Sequence, residues 1–151
     1  MDPKNRFSLN GRPKGDSESS LDDERRVKVT QALTQKFDEL NRRWTAAEAD
    51  LKKIPLPLDV WVTVETDGEP GCEPRGVFML GFAKSKGGWR ICLGYADYNG
   101  PGDVDTGSPI VECGLDWRMK AAAVLPELRK KVLQAAEESV KKLDDVLSSF
   151  G

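Results

Sequence analysis

The residues best suited by type to bind a cation lie between Asp97 and Gly107. This glycine-rich stretch contains Asp97, Asn99, Asp103 and Asp105. Hard cations such as Ca²⁺ are held by several oxygen ligands that converge on a flexible turn. The spacing differs from the EF-hand pattern, which ends in a glutamate. Because Asp, Asn and Gly are also the residues that turns favour, we interpret the stretch as a plain loop and keep a cation site as the alternative.

Catalysis has few candidates, because the 151 residues include no histidine. Ser-His-Asp and Cys-His groups therefore cannot be assembled within this chain. Metal-assisted hydrolysis would use carboxylates at strand ends, and Asp59, Glu65 and Glu112 are such carboxylates. None of them belongs to an Asp…Glu-x-Lys arrangement, and Gly87-Gly88 is typical of a hairpin rather than a phosphate-binding loop. We predict no catalytic residue and no cofactor.

The three cysteines, Cys72, Cys92 and Cys113, are widely spaced. Zinc sites usually contain close cysteine pairs and often histidine, so this spacing does not favour a metal site. Cys92 and Cys113 fall in apolar, strand-like segments, where cysteine usually acts as a small buried apolar residue. Cys72 lies in a loop rich in glycine and proline and is predicted to be the exposed thiol.

Charge and hydropathy predict a chain without nucleic-acid or membrane partners. The net charge of -2 and the pI of about 5.3 give no strong positive field to attract nucleic acid or anionic lipid. No apolar run approaches the roughly twenty residues that span a bilayer. The N-terminal residues have no apolar signal segment, so we expect a cytoplasmic protein.

One long amphipathic helix is predicted from Ser20 to Ile54. Its apolar residues recur at alternating intervals of four and three, the spacing of one apolar face. Ser20 is suited to the N-cap, and Pro55 ends the pattern because proline cannot continue a helix. The apolar face consists of Leu33, Phe37, Leu40, Trp44, Ala47, Leu51 and Ile54.

Four strands are predicted to follow, because the apolar period changes to two. Consecutive strands with short connections pair as an antiparallel meander, since a parallel return would need a crossover. A tight hairpin turn is expected at residues 85–88. The predicted strands cover residues 58–65, 75–84, 89–95 and 108–113.

A second long helix is predicted over residues 117–150, with Asp116 as its N-cap. Pro126 predicts a kink or a separate short helix near its start. Residues 1–19 are polar and are predicted to be a disordered tail, which leaves a single domain over residues 20–151. The apolar stripe of this helix consists of Leu125, Leu128, Val132, Ala136, Val140, Leu143, Leu147 and Phe150.

Together these elements predict an α+β fold in the order α-β-β-β-β-α. A four-stranded antiparallel meander exposes an apolar face that must be covered, and two long amphipathic helices are available to cover it. The predicted architecture is therefore a two-layer sandwich.

The sheet face turned away from the helices is the predicted partner-binding surface. Trp61, Met79 and Arg90 are expected on this face, because side chains alternate along a strand. Tryptophan, methionine and arginine are enriched at protein interfaces. Together with Phe37 and Trp44 of the first helix, these residues are predicted to bind a protein partner.

We therefore predict a non-catalytic protein-interaction domain of a regulatory, adaptor or inhibitor type. Homodimerisation through the long helices is its expected form. The alternative is a small-ligand pocket between sheet and helices, lined by Trp44, Trp89 and Tyr95, although core packing is the simpler role for these aromatic residues. A metal-dependent hydrolase that uses the loop carboxylates is the third possibility.

Overall fold

A computed structural model of the chain describes the backbone of residues 3–151 and the side chains of residues 19–151. Two compact units are formed by residues 1–41 and residues 42–151, and the boundary between them lies within the first helix. A short 3-10 helix covers Ile110–Glu112. The other elements are α1 (Pro3–Leu51), β1 (Val60–Asp67), β2 (Gly76–Ser85), β3 (Gly88–Asp97), β4 (Asp105–Pro109), α2 (Leu115–Ala122) and α3 (Leu125–Ser149).

The first unit consists of the larger part of α1. Its described apolar side chains include Leu21, Val27 and Leu33, all of which are exposed. Ser20 lies inside α1, because that helix begins at Pro3, so the predicted N-cap at Ser20 is wrong. The predicted tail over residues 1–19 lies outside the described side chains except for Ser19, and it stays a prediction.

The second unit contains an antiparallel sheet with the strand order β1-β2-β3-β4. This order confirms the predicted meander and the α+β class. β2 and β3 form a tight hairpin in which Ser85 pairs with Gly88. Gly88 has a φ of 112°, a conformation that glycine adopts without steric cost. The outer strand β1 has a bulge between Thr63 and Glu65, which disrupts the ladder at this edge of the sheet.

The fourth strand differs from the prediction over residues 108–113. β4 ends at Pro109, and the apolar run that follows forms the 3-10 helix with Ile110 buried. Proline has no backbone N–H to continue a ladder, so the strand cannot extend into this run. Cys113 therefore lies after the 3-10 helix and is half-buried.

The C-terminal region forms two helices, as Pro126 predicted. α2 and α3 are separated at residues 123–124, and Pro126 lies in the first turn of α3. The N-cap of α2 is Gly114, and Asp116 lies in the first turn, so the predicted cap at Asp116 is wrong. An acidic residue in a first turn still complements the helix dipole.

Helices α2 and α3 pack against the sheet. The ring of Trp117 in α2 lies 4.5 Å from the ring of Phe78 in β2. α3 packs against β1 and β2. The largest fully buried side chains are Trp44, Phe82, Leu80, Ile91, Ile110, Leu128, Val62 and Val132.

Candidate functional site

Helix α3 is divided into a buried half and an exposed half. Leu128 and Val132 are completely buried. From Leu133 onward the large apolar side chains are exposed, although the sequence continues the same helical period. The exposed fractions are 54% for Leu133, 59% for Val140, 59% for Leu143, 65% for Leu147 and 83% for Phe150.

The exposed half carries a regular apolar seam, which we call the α3 seam. Its residues recur at intervals of three and four, which is the heptad spacing of helices that pair with another helix. Leu133, Val140 and Leu147 occupy the a positions of this repeat. The d positions are Ala136, Leu143 and Phe150.

The two flanks of the α3 seam have different chemistry. One flank, at the e positions, carries the charged residues Lys130, Glu137 and Asp144. The other flank, at the g positions, carries Val132, Ser139 and Val146 and adjoins the groove described next. One side of the seam is therefore continuous with further apolar surface, and the other side is bordered by charge.

An open groove of about 650 Å³ lies between α3 and the segment that follows α1. Pro55, Leu56 and Leu58 line one wall, and Ala135, Leu143 and Val146 of α3 are among the residues of the other. Leu58 is 73% exposed at its edge. The groove and the α3 seam share Leu143, so they form one continuous apolar surface.

The end of α1 is held against β3 by Glu48, which is only 8% exposed. Its Oε1 atom accepts hydrogen bonds from the backbone N–H of Ile91 at 2.9 Å and from Arg90 Nε at 3.1 Å. The hydrogen bond to Glu48 raises the pKa of Arg90. Arg90 therefore makes a contact within the fold. This contact helps to hold the end of α1, from which the chain continues to Pro55 in the wall of the groove.

Three of the predicted partner-binding residues share one face of the sheet. Trp61 pairs with Gly81, and Met79 pairs with Gly94 on the next strand. The indole of Trp61 lies so close to Gly81 and Gly94 that a Cβ atom at either glycine would overlap it. Trp61 is therefore half-buried against its own sheet.

Trp44 does not join that group, and Phe37 belongs to the other unit. Phe37 is half-buried in the first unit, whereas Trp44 lies in the core of the second unit and is 1% exposed. Its buried Nε1 has no hydrogen-bond partner among the described residues. The indole of Trp44 therefore offers no surface to a partner in this structure.

The aromatic residues of the predicted ligand pocket are engaged elsewhere. Trp89 packs on Phe82, with ring centroids 5.5 Å apart. The Tyr95 hydroxyl donates a hydrogen bond to Asp67 Oδ2 at 2.8 Å, which raises the pKa of Tyr95. Neither residue lines the groove.

The loop after β3 is organised by its own backbone. Asp97 Oδ1 accepts a hydrogen bond from the backbone N–H of Asn99 at 2.9 Å, an arrangement typical of a turn. Within residues 19–151, no group of three or more Cys, Asp or Glu side chains is placed to hold a metal ion. On the sheet, Glu65 Oε1 accepts from Lys120 Nζ at 3.1 Å and so forms an ion pair.

Sequence reasoning missed two features of this region, the groove and the buried Glu48. Glu48 directly follows the apolar face residue Ala47, and this position is the available signal of a buried carboxylate. The groove has no comparable signal, because it depends on how Pro55–Leu58 passes beside α3.

Comparison with protein families, with curated proteins and with solved structures found no match to this chain. The described part of the chain has no helix long and apolar enough to cross a membrane. The α3 seam and its groove are therefore interpreted from their own geometry.

Proposed function

We propose that this protein is a non-catalytic interaction domain that self-associates through the α3 seam. The observation that carries the proposal is the exposure of large apolar side chains at heptad spacing on an ordered helix. Contiguous apolar patches of this kind are uncommon on monomers and often mark interaction surfaces. Burying them against a second helix would remove apolar surface from water, which favours association.

The size of the α3 seam supports a reversible dimer. Burial of a large apolar side chain stabilises by about 1.5–3 kcal/mol, equivalent to roughly 60–120 Å² each at about 25 cal/mol per Å². Two copies of the five large side chains of the seam bury roughly 600–1,200 Å², which is small for a specific interface. We expect association at about micromolar concentrations, because loss of translational freedom offsets much of this gain.

The proposal is tested by sedimentation equilibrium and by light scattering over a hundredfold range of concentration. The wild-type mass should rise from monomer toward dimer. Val140→Glu with Leu147→Glu places charges at two a positions and should leave a monomer. Gln134→Glu with Ser148→Glu adds the same charge on the opposite side of the helix and should associate like the wild type.

A wild-type protein that stays monomeric at the highest concentration would overturn the proposal. Equal association of the two double variants would overturn it as well, because the seam would then play no part.

The second candidate function is the binding of a small apolar ligand, and the groove is the observation that favours it. Its volume of about 650 Å³ lies in the range of ligand pockets, and its walls are mainly apolar. A Leu58→Asp variant should then lose binding of an apolar fluorescent probe, whereas Tyr98→Asp, at another exposed residue, should not. Equal probe binding by both variants would exclude the groove as the binding site of the probe.

A further inference from the structure

We infer that the two α3 helices of the dimer run antiparallel, with Val140 of each copy opposite Leu143 of the other. This inference rests on the proposed function and specifies its partner as a second copy of the same chain. Direction and register follow from two features of α3, which are the sizes of its seam residues and the place where burial ends. A third feature, the charged flank, opposes this direction by a small amount and makes it measurable.

The first feature is the unequal size of the residues along the α3 seam, from Ala136 near one end to Phe150 at the other. Well-packed helix pairs place small side chains opposite large ones. A parallel, in-register pair would set Ala136 against Ala136 and Phe150 against Phe150, which leaves a void at one layer and crowding at another. The antiparallel pair instead forms the layers Leu133–Phe150, Ala136–Leu147 and Val140–Leu143, each of which occurs twice.

The second feature is the position of the sheet along α3. Burial of α3 ends at Val132, and the seam begins at Leu133. In the antiparallel pair, the sheets of the two copies lie at opposite ends of the paired segment. In a parallel, in-register pair, both sheets would instead lie at the same end of the paired segment.

The third feature is the acidic flank, which makes the direction measurable. In the antiparallel register, Glu137 of one copy lies opposite Asp144 of the other at the e positions. Each dimer contains this acidic pair twice, and like charges at such a distance are destabilising. In a parallel pair the e positions face g positions instead, so Glu137 would lie beside Val132 and Asp144 beside Ser139.

The experiment reverses one charge at a time and measures the dimer dissociation constant by sedimentation at low salt. Glu137→Lys replaces two repulsive pairs by two attractive ones and should tighten the dimer about tenfold. Asp145→Lys is the matched control, since it makes the same charge change at an exposed f position, outside both the seam and the lining of the groove. It should alter the dissociation constant less than about twofold.

A second pair of variants tests the contact itself. Asp144→Lys alone should also tighten the dimer about tenfold. The double variant Glu137→Lys with Asp144→Lys recreates a like-charge pair, so its dissociation constant should return toward the wild-type value.

The outcomes separate this inference from the proposed function. The antiparallel register is overturned if Glu137→Lys and Asp145→Lys associate equally, or if the effects of Glu137→Lys and Asp144→Lys add instead of cancelling. The proposed function survives either result if Val140→Glu with Leu147→Glu still abolishes the dimer. If that variant associates normally, the function fails and the inference fails with it.

Discussion

The end of α1 and the second half of α3 carry apolar residues at the same spacing, yet only the first set is buried. Trp44 and Leu51 are 1% and 4% exposed, whereas Val140 and Leu147 are more than half exposed. Heptad spacing therefore identifies a helix face that needs cover but does not say what covers it. In α1 the cover is the core of the same unit, and in α3 we propose a second copy.

The difference follows from dimensions and from one polar contact. At about 1.5 Å per residue, α3 is roughly 37 Å long, while four strands spaced about 4.8 Å apart make a sheet less than 20 Å wide. α3 packs mainly against β1 and β2, and its large apolar residues from Leu133 onward are not covered by that packing. The end of α1, in contrast, is fixed to β3 by Glu48.

The largest expected effect separates the two halves of α3. Leu128→Ala removes a completely buried side chain and should lower the free energy of unfolding by about 3 kcal/mol. Leu147→Ala acts on an exposed residue and should change monomer stability by less than about 0.5 kcal/mol. Urea denaturation below the concentration of dimer formation measures both. Similar losses for the two variants would show that the seam is covered within the monomer.

The next effect tests the contact that secures α1. Glu48→Ala leaves the N–H of Ile91 and the guanidinium of Arg90 without their acceptor and should cost about 2–3 kcal/mol of stability. Glu48→Gln keeps one oxygen acceptor and should cost clearly less. The free energies of unfolding of both variants test this expectation. An unchanged value for Glu48→Ala would mean that the end of α1 is held by apolar packing alone.

The smallest effect concerns Cys92, which is buried in β3. Burial raises the pKa of this thiol from its ordinary value of 9.0 to about 11. Because the Cys92 thiol ionises more readily in the unfolded chain, the stability of the fold is fully retained below about pH 9. It falls as the pH rises toward 11. At pH 10 the loss is about 1 kcal/mol, because most of the unfolded thiols but few of the folded ones are then ionised.

Denaturation at pH 7 and pH 10 measures this loss, with Cys92→Ala as the control that should lack it. Alkylation at pH 8 gives an independent measure, since exposed Cys72 should react quickly and Cys92 only after unfolding. Rapid alkylation of Cys92 in the folded protein would contradict its burial.

The sequence predicts the elements well because each is coded by local periodicity. The alternation in β1 and the 3-4 spacing of both helices are properties of neighbouring residues, and so is the turn at residues 85–88. The errors occur where a contact from elsewhere decides the outcome. The run after Pro109 resembles a strand, but it forms a 3-10 helix that buries Ile110.

The candidate site is predictable only in part for the same reason. The apolar stripe of α3 is evident in the sequence, but its division after Val132 depends on where the sheet ends. Arg90 has the residue type of an interface contact, yet Glu48, 42 positions away in the chain, engages it. Rules based on the spacing of nearby residues cannot predict a contact between residues that are so far apart in the sequence.

Trp61 and its two glycines have a consequence for how this sequence can change. The indole spans Gly81 and Gly94 on two neighbouring strands, so neither glycine can gain a side chain while the tryptophan remains. The three positions should consequently vary together among related chains, with a smaller residue at position 61 wherever either glycine is replaced. The residue at position 61 of β1 is therefore expected to change together with the residues at positions 81 and 94 of β2 and β3.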